Sequence, residues 1–216
     1  MVDAVVFDMD GVIVDTEQVW DEIREQLVAD WGGRYSVDAQ RAMMGMSSGE
    51  WSRYMHEELG LPQPPAEIND EVVRRLLDRY REELPLVPGA VEAVRGLAGA
   101  YPLAVASSSN RPLIDAVLDT AGISGCFAAT VSSEEVARGK PAPDVYLEAS
   151  RRLGLAPERC AAVEDSANGM RAAHAAGMFL IAFPNPHYPP TREALALAHV
   201  VVASLSELGP DLLATL

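Results

Sequence analysis

Six short apolar runs punctuate the chain, at residues 4–7, 103–106, 128–131, 160–163, 179–182 and 200–202. Runs of this length, rich in Val, Ile and Ala, read as strands buried on both faces of a parallel sheet. Helical patterns lie between them at 89–98, 111–121, 143–153 and 168–176, and several close on a glycine such as Gly122, Gly154 or Gly177. Strands alternating with helices imply βαβ units and an α/β fold, a doubly wound parallel sheet.

Residues 16–85 break that rhythm. They carry amphipathic helical patterns at 17–31, 37–44, 48–59 and 69–83 with no convincing strand, divided by the loop Leu61-Pro62-Gln63-Pro64-Pro65. The expected organisation is an α/β core made of 1–15 and 86–216, with a helical cap, 16–85, inserted after the first strand. A chain of 216 residues, 49% hydrophobic and 23% charged, has ample material for such a core and is not a disordered one.

Charge narrows the partners. The 32 acidic and 17 basic residues leave a formal net charge of −15. Such a surface repels nucleic acid and anionic lipid, so neither is an expected partner. No apolar run approaches a membrane span, and Met1-Val2-Asp3-Ala4 lacks the basic start of a secretory signal, so the expected compartment is the cytoplasm. Cys126 and Cys160 sit in apolar stretches and read as reduced, buried thiols. A monomer is expected, with an oligomer left open. Sixteen of the basic residues are arginines and one is a lysine, Lys140, which suggests a place where a compact ammonium works and a guanidinium fork does not.

In open α/β sheets ligands sit at the carboxyl ends of the strands, and four of those ends are polar here. The first, Phe7-Asp8-Met9-Asp10-Gly11, sets two carboxylates two residues apart just past a buried strand. That arrangement is costly unless a cation or proton stands between them. One Asp of such a pair can act as nucleophile and metal ligand while the other moves protons; an acidic turn capping the next helix is the structural alternative. The second end, Ser107-Ser108-Ser109-Asn110, offers hydroxyls and a helix start to a phosphate, or serves as a helix N-cap run. The third holds Lys140 between Gly139 and Pro141; it is no P-loop, since Pro141 takes the Ser/Thr position and the upstream Gly is missing. The fourth, Val163-Glu164-Asp165-Ser166, adds a second acidic pair. Carboxyl groups converging from two strand ends call for a divalent cation, and all-oxygen ligation points to Mg²⁺. No G-x-S-x-G elbow surrounds Ser107, and His56, His174, His187 and His199 form no H-E-x-x-H pair, so each reads as structural or surface.

Taken together, these four ends resemble the motifs of the haloacid dehalogenase-like hydrolase superfamily, in the helical-cap subgroup that joins sugar-phosphate phosphatases to β-phosphoglucomutase-like proteins. Phe7-Asp8-Met9-Asp10-Gly11-Val12 resembles the first motif, Ser107 the second, Lys140 the third and Glu164-Asp165, followed by Ser166 and Gly169, the fourth. The resemblance covers essentially the whole core. It implies Asp8 as nucleophile, Asp10 as general acid and base, and Ser107, Ser108 and Lys140 as phosphate-binding residues. It further implies Mg²⁺ held by Asp8, the Asp10 main-chain carbonyl, Glu164 and Asp165. The expected function is a Mg²⁺-dependent phosphatase acting on a small phosphorylated metabolite, such as a sugar phosphate, through an aspartyl-phosphate.

Asp10 sets the chain apart from the dehalogenases and phosphonatases of the superfamily. A phosphosugar mutase is the alternative. Mutases of this group resemble the chain but carry a His where Trp20 stands, an Arg after the cap glycine and a Lys after the second-motif serines. Here the corresponding stretches read Gly45-Met46-Ser47-Ser48 and Ser109-Asn110-Arg111, with Arg111 or Arg41 available to compensate in part. Specificity is expected from cap residues facing the crevice: Trp20, Arg24, Met43, Met44, Met46 and Trp51, although a Met stripe at helical spacing also reads as core packing.

Overall fold

The structure is a computed structural model that describes residues 2–43 and 46–216, without the side chain of Arg41. Chain order is β1 (Ala4–Phe7), α1 (Glu17–Trp31), α2 (Val37–Met43), α3 (Ser48–Glu57), α4 (Pro65–Glu82), α5 (Ala90–Ala98), β2 (Leu103–Ser107) and α6 (Arg111–Thr120). There follow β3 (Ala129–Ser132), α7 (Asp144–Leu153), β4 (Cys160–Glu164), α8 (Ala167–Ala175), β5 (Phe179–Ala182), α9 (Arg192–Leu195), β6 (Val200–Val201) and α10 (Pro210–Ala214).

All six strands are parallel, in the order β3-β2-β1-β4-β5-β6. This is a doubly wound α/β sheet, and its direction of winding reverses between β1 and β4, where such folds open a crevice for ligand. Register fixes what lines that crevice. Phe7 pairs with Val105 on one side and Val163 on the other, so Asp8 and Glu164 leave the sheet side by side.

Period-two alternation divides the sheet's side chains between two cores. Val5, Phe7, Val105, Val163 and Ile181 pack with Val94 and Leu97 of α5 and Leu113, Ile114 and Val117 of α6. The opposite face is small: Ala4, Ala104, Ala106, Ala162 and Ala182 lie against Tyr146 and Ala149 of α7 and Ala172 and Ala173 of α8.

Four helices, α1 to α4, occupy the stretch between β1 and α5, and no strand is found there among the described residues. The chain's exit and re-entry lie side by side: Asp15 N donates to Pro85 O at 2.8 Å and Val87 N to Ile13 O at 3.0 Å. Helix α4 starts four residues before its expected position at 69, because Pro65 is tolerated in the first turn, where its missing N–H is not needed. The periodic pattern in α1 buries Trp20, Ile23, Arg24, Leu27 and Val28, a single stripe in which one member is charged.

The expected histidine roles hold: His199 stacks on Phe179 with ring centroids 4.3 Å apart, His56 Nδ1 lies 2.8 Å from Leu61 O, and His174 and His187 are exposed on the surface. Cys160 is buried and Cys126 half-buried, and both are free thiols. Among the described residues, no helix is long and apolar enough to cross a membrane.

Candidate active site

Past β1 the backbone turns sharply at Gly11, whose φ of 86° lies in the left-handed region. Two reasons keep this residue a glycine. A side chain would be strained there, and its Cβ would overlap the Asp165 carboxylate. The turn sends Asp8 and Asp10 into different surroundings.

Asp8 is buried beside the end of β4. Lys140 Nζ donates to Asp8 Oδ1 at 2.8 Å and to Glu164 Oε1 at 2.6 Å, so a single ammonium bridges two strand ends. Tyr146 OH adds a bond to Glu164 Oε1 at 2.7 Å, and the main-chain N–H groups of Asp165 and Ser166 donate to Oε2, each at 3.1 Å. Helix α8 closes over that carboxylate: a Cβ at Gly169 would overlap it, and only a glycine lets the helix start so near.

Oxygens of Asp8, Glu164 and Asp165 all lie within 4.8 Å of one another. Three carboxylates therefore face one ammonium, and the pKa values of Asp8 and Asp165 respond. Burial, then Glu164, pushes Asp8 up to about 8 despite Lys140. Burial, with Glu164 and Asp8 beside it, raises Asp165 as well. For Lys140 burial works downward, but Asp8 and Glu164 outweigh it and hold the ammonium above its ordinary range. Among the described residues Asp165 Oδ1 is buried with no hydrogen-bond partner, while its Oδ2 accepts from Asn185 Nδ2 at 3.3 Å. An orphaned carboxylate oxygen beside two more carboxylates is what an oxygen-liganded cation would satisfy, so these residues fit Mg²⁺.

The Asp10 carboxylate stands apart from that group. Its Oδ1 accepts from Thr16 Oγ1 at 2.5 Å and from Trp20 Nε1 at 3.4 Å; its Oδ2 accepts from Ser109 Oγ at 2.7 Å. Ser107 is fully buried, 3.5 Å from Asp10 Oδ2, and its Oγ accepts the Ser109 N–H at 3.0 Å. Ser108 is half-buried and lines the cavity.

That cavity, about 230 Å³, runs from Asp8, Asp10, Lys140 and Asp165 to a cap wall of Glu17, Trp20, Arg24, Met43, Met46 and Trp51. Asn168 and Tyr188 to Thr191 close its side. Of the expected specificity residues, Trp20, Arg24, Met43, Met46 and Trp51 face this space, and Met43 is at the same time buried in the core. Met44 and Gly45 lie outside the described residues. Arg111 does not reach the cavity: it pairs with Glu135 and donates to Thr130 Oγ1 at 2.7 Å on the core's flank. Sequence reasoning missed Tyr146, Asn185, Thr16 and Glu17. Their residue types are commonplace, and only the fold carries them to the site.

Comparison with known proteins bears on this geometry. The family described as haloacid dehalogenase-like hydrolase matches residues 2–177. Hexitol phosphatase B of Escherichia coli (strain K12) is 34% identical over 97% of this chain and 96% of its own length. The "Probable pseudouridine-5'-phosphatase" of Drosophila melanogaster is 33% identical over 95% of this chain and 91% of its own. Among solved structures, CbbY from Rhodobacter sphaeroides in complex with phosphate superposes with a TM-score of 0.85 at 30% identity, covering 97% of each chain. The chain belongs to the haloacid dehalogenase-like hydrolase family.

Proposed function

We propose that this protein is a Mg²⁺-dependent phosphatase that hydrolyses a small phosphorylated metabolite through an aspartyl-phosphate on Asp8. The observation that carries the reading is the division of labour between two carboxylates two residues apart. Asp8 is held by an ammonium at the sheet's switch point, while Asp10 is held by hydroxyls and an indole at the edge of the same cavity.

Lys140 engages Asp8 Oδ1, which leaves Oδ2 as the nucleophile. It attacks phosphorus as the ester P–O bond breaks, and Asp10 gives its proton to the leaving oxygen. Asp10 then takes a proton from water as that water attacks the same phosphorus; the acyl-phosphate bond breaks, returning the Asp8 carboxylate and releasing inorganic phosphate. Ser108 and Lys140 contribute donors for the phosphoryl oxygens, and Ser107 holds the second strand's end in place. Asp8, Glu164, Asp165 and the Asp10 main-chain carbonyl would hold Mg²⁺, which when bound neutralises charge on the transferring group. Residues 16–85 act as the cap, excluding water until the alcohol has left. Commitment of Arg111 to Glu135 removes one cation that a mutase would need for a second phosphate.

Phosphate release from a panel of phosphorylated metabolites, with Mg²⁺ and with excess chelator, tests the reading. Mg²⁺-dependent release that Asp8→Asn lowers by more than about a thousandfold is expected. Full release in chelator, or by Asp8→Asn, overturns it.

A further inference from the structure

One side chain in the cavity wall is not explained by phosphoryl transfer. Arg24 lies on the buried stripe of α1, at a position where an amphipathic helix calls for an apolar residue, and it is 8% exposed. Its guanidinium carbon sits 4.6 Å from the Trp20 ring centroid and 5.1 Å from that of Trp51, and the two indoles meet edge to face. Its Nε is buried with no hydrogen-bond partner, and no carboxylate lies within ion-pair distance among the described residues. Aromatic faces support a cation but do not satisfy its N–H donors. A buried charge is ordinarily paired, so an unpaired fork on a cavity wall marks the place of an absent anion.

We infer that Arg24 binds a carboxylate of the substrate, so that the protein acts on phosphate monoesters of small carboxylic acids. This deepens the phosphatase reading and rests on it. A planar carboxylate matches the guanidinium fork with two parallel hydrogen bonds. One unpaired guanidinium balances one negative charge, whereas a second phosphate would bring up to two into a wall of Trp and Met. The remaining charged groups on the cavity agree. Lys140 is already engaged with Asp8 and Glu164, and Asp8, Asp10 and Asp165 occupy the phosphoryl end. Glu17 shares the cap wall; burial pushes it up to about 7, and it forms no ion pair with Arg24 among the described residues. At about 230 Å³ the cavity is below the usual range for drug-sized ligands and suits a short molecule held at both ends.

The test uses matched phosphate monoesters of graded chain length ending in a carboxylic acid, in the isosteric primary amide, or in a second phosphate. Two ratios are read: kcat/KM of acid over amide in the wild type, and the binding constants of the same pair for Asp8→Asn with Mg²⁺ by calorimetry. We expect the acid to be favoured by at least about tenfold in both, a charged hydrogen-bond pair's worth of discrimination. Arg24→Gln should bring acid and amide within about threefold of one another. Equal treatment of acid and amide by the folded wild type overturns the inference even if all esters are hydrolysed, and so does a preference for the bisphosphate over the acid. Acid-selective binding to Asp8→Asn without turnover of any ester by the wild type would leave the carboxylate site standing and instead remove the phosphatase reading.

Discussion

Lys140 reaches Asp8 and Glu164 from one nitrogen, at 2.8 and 2.6 Å, in a pocket that leaves it 6% exposed. A guanidinium there would bring a planar fork where a single point donor fits, so Lys140→Arg should fold yet lose at least about a hundredfold in turnover. Arg138, two residues away, is exposed and pairs with Asp144 on the surface, so Arg138→Lys should be nearly silent. Equal effects in steady-state kinetics would remove Lys140 from the site. Asp8 gives a prediction that needs no substrate. Its raised pKa, about 8 without metal, makes the folded state bind more protons than the unfolded chain between roughly pH 4 and pH 8. Asp8's contribution to stability is therefore lost as pH rises through that window. Mg²⁺ competes with that proton, so the gain in Tm on adding Mg²⁺ should be larger near about pH 8 than near about pH 5.5 in calorimetric scans. A gain that is larger at the acid end contradicts the assignment.

At the scale of elements, the site depends on how closely α8 approaches β4. Gly169 has an ordinary helical backbone, so Gly169→Ala tests close approach alone. The new methyl would displace Glu164, and we expect a loss of roughly 1–3 kcal/mol of stability together with weaker Mg²⁺ binding by calorimetry. Unchanged Mg²⁺ affinity would place the Glu164 carboxylate outside the metal's ligands. The elements bearing the motifs were legible because their signals are local. Four apolar residues ending in Asp-Met-Asp-Gly declare a buried strand and its end, and the stripe 20, 23, 24, 27, 28 declares a helix face. Less legible were the start of α4, where a run of prolines resembled a loop, and the short helices α9 and α10, each one turn or little more. Tyr146 and Asn185 could not be read at all. They bond Glu164 and Asp165 from 18 and 20 residues away, through side chains common on any surface.

For the whole molecule, the inserted helices meet the core through α4 packed on α6 within one continuous apolar cluster, and through polar contacts such as Gln40 with Tyr188 at 2.9 Å, Asn110 with Asn69 at 3.0 Å, and Ser48 with Glu134 at 3.3 Å. Both crossings of the chain lie adjacent at Asp15 and Pro85, which suits a cap that swings on a narrow hinge. A fluoride mimic of the phosphoryl group added with Mg²⁺ should reduce the radius of gyration in solution scattering; an unchanged profile at saturation argues against a moving cap. The parallel sheet and its polar strand ends followed from the sequence, as did five residues of the cavity's cap wall, Trp20, Arg24, Met43, Met46 and Trp51, whereas Glu17, at the first position of α1, carries no local signal that it faces the same space. The proposed reaction turns on a covalent bond between Asp8 and the phosphoryl group. Asp10→Asn removes the proton acceptor for hydrolysis while leaving the nucleophile, so with a substrate bearing a good leaving group the phosphoenzyme should accumulate. Mass spectrometry of the acid-quenched variant should then show one added phosphoryl group on the peptide containing Asp8, and none when Asp8→Asn is added to the same chain. A phosphoryl group on Ser107 or any other residue, or its persistence in the double variant, would contradict the account.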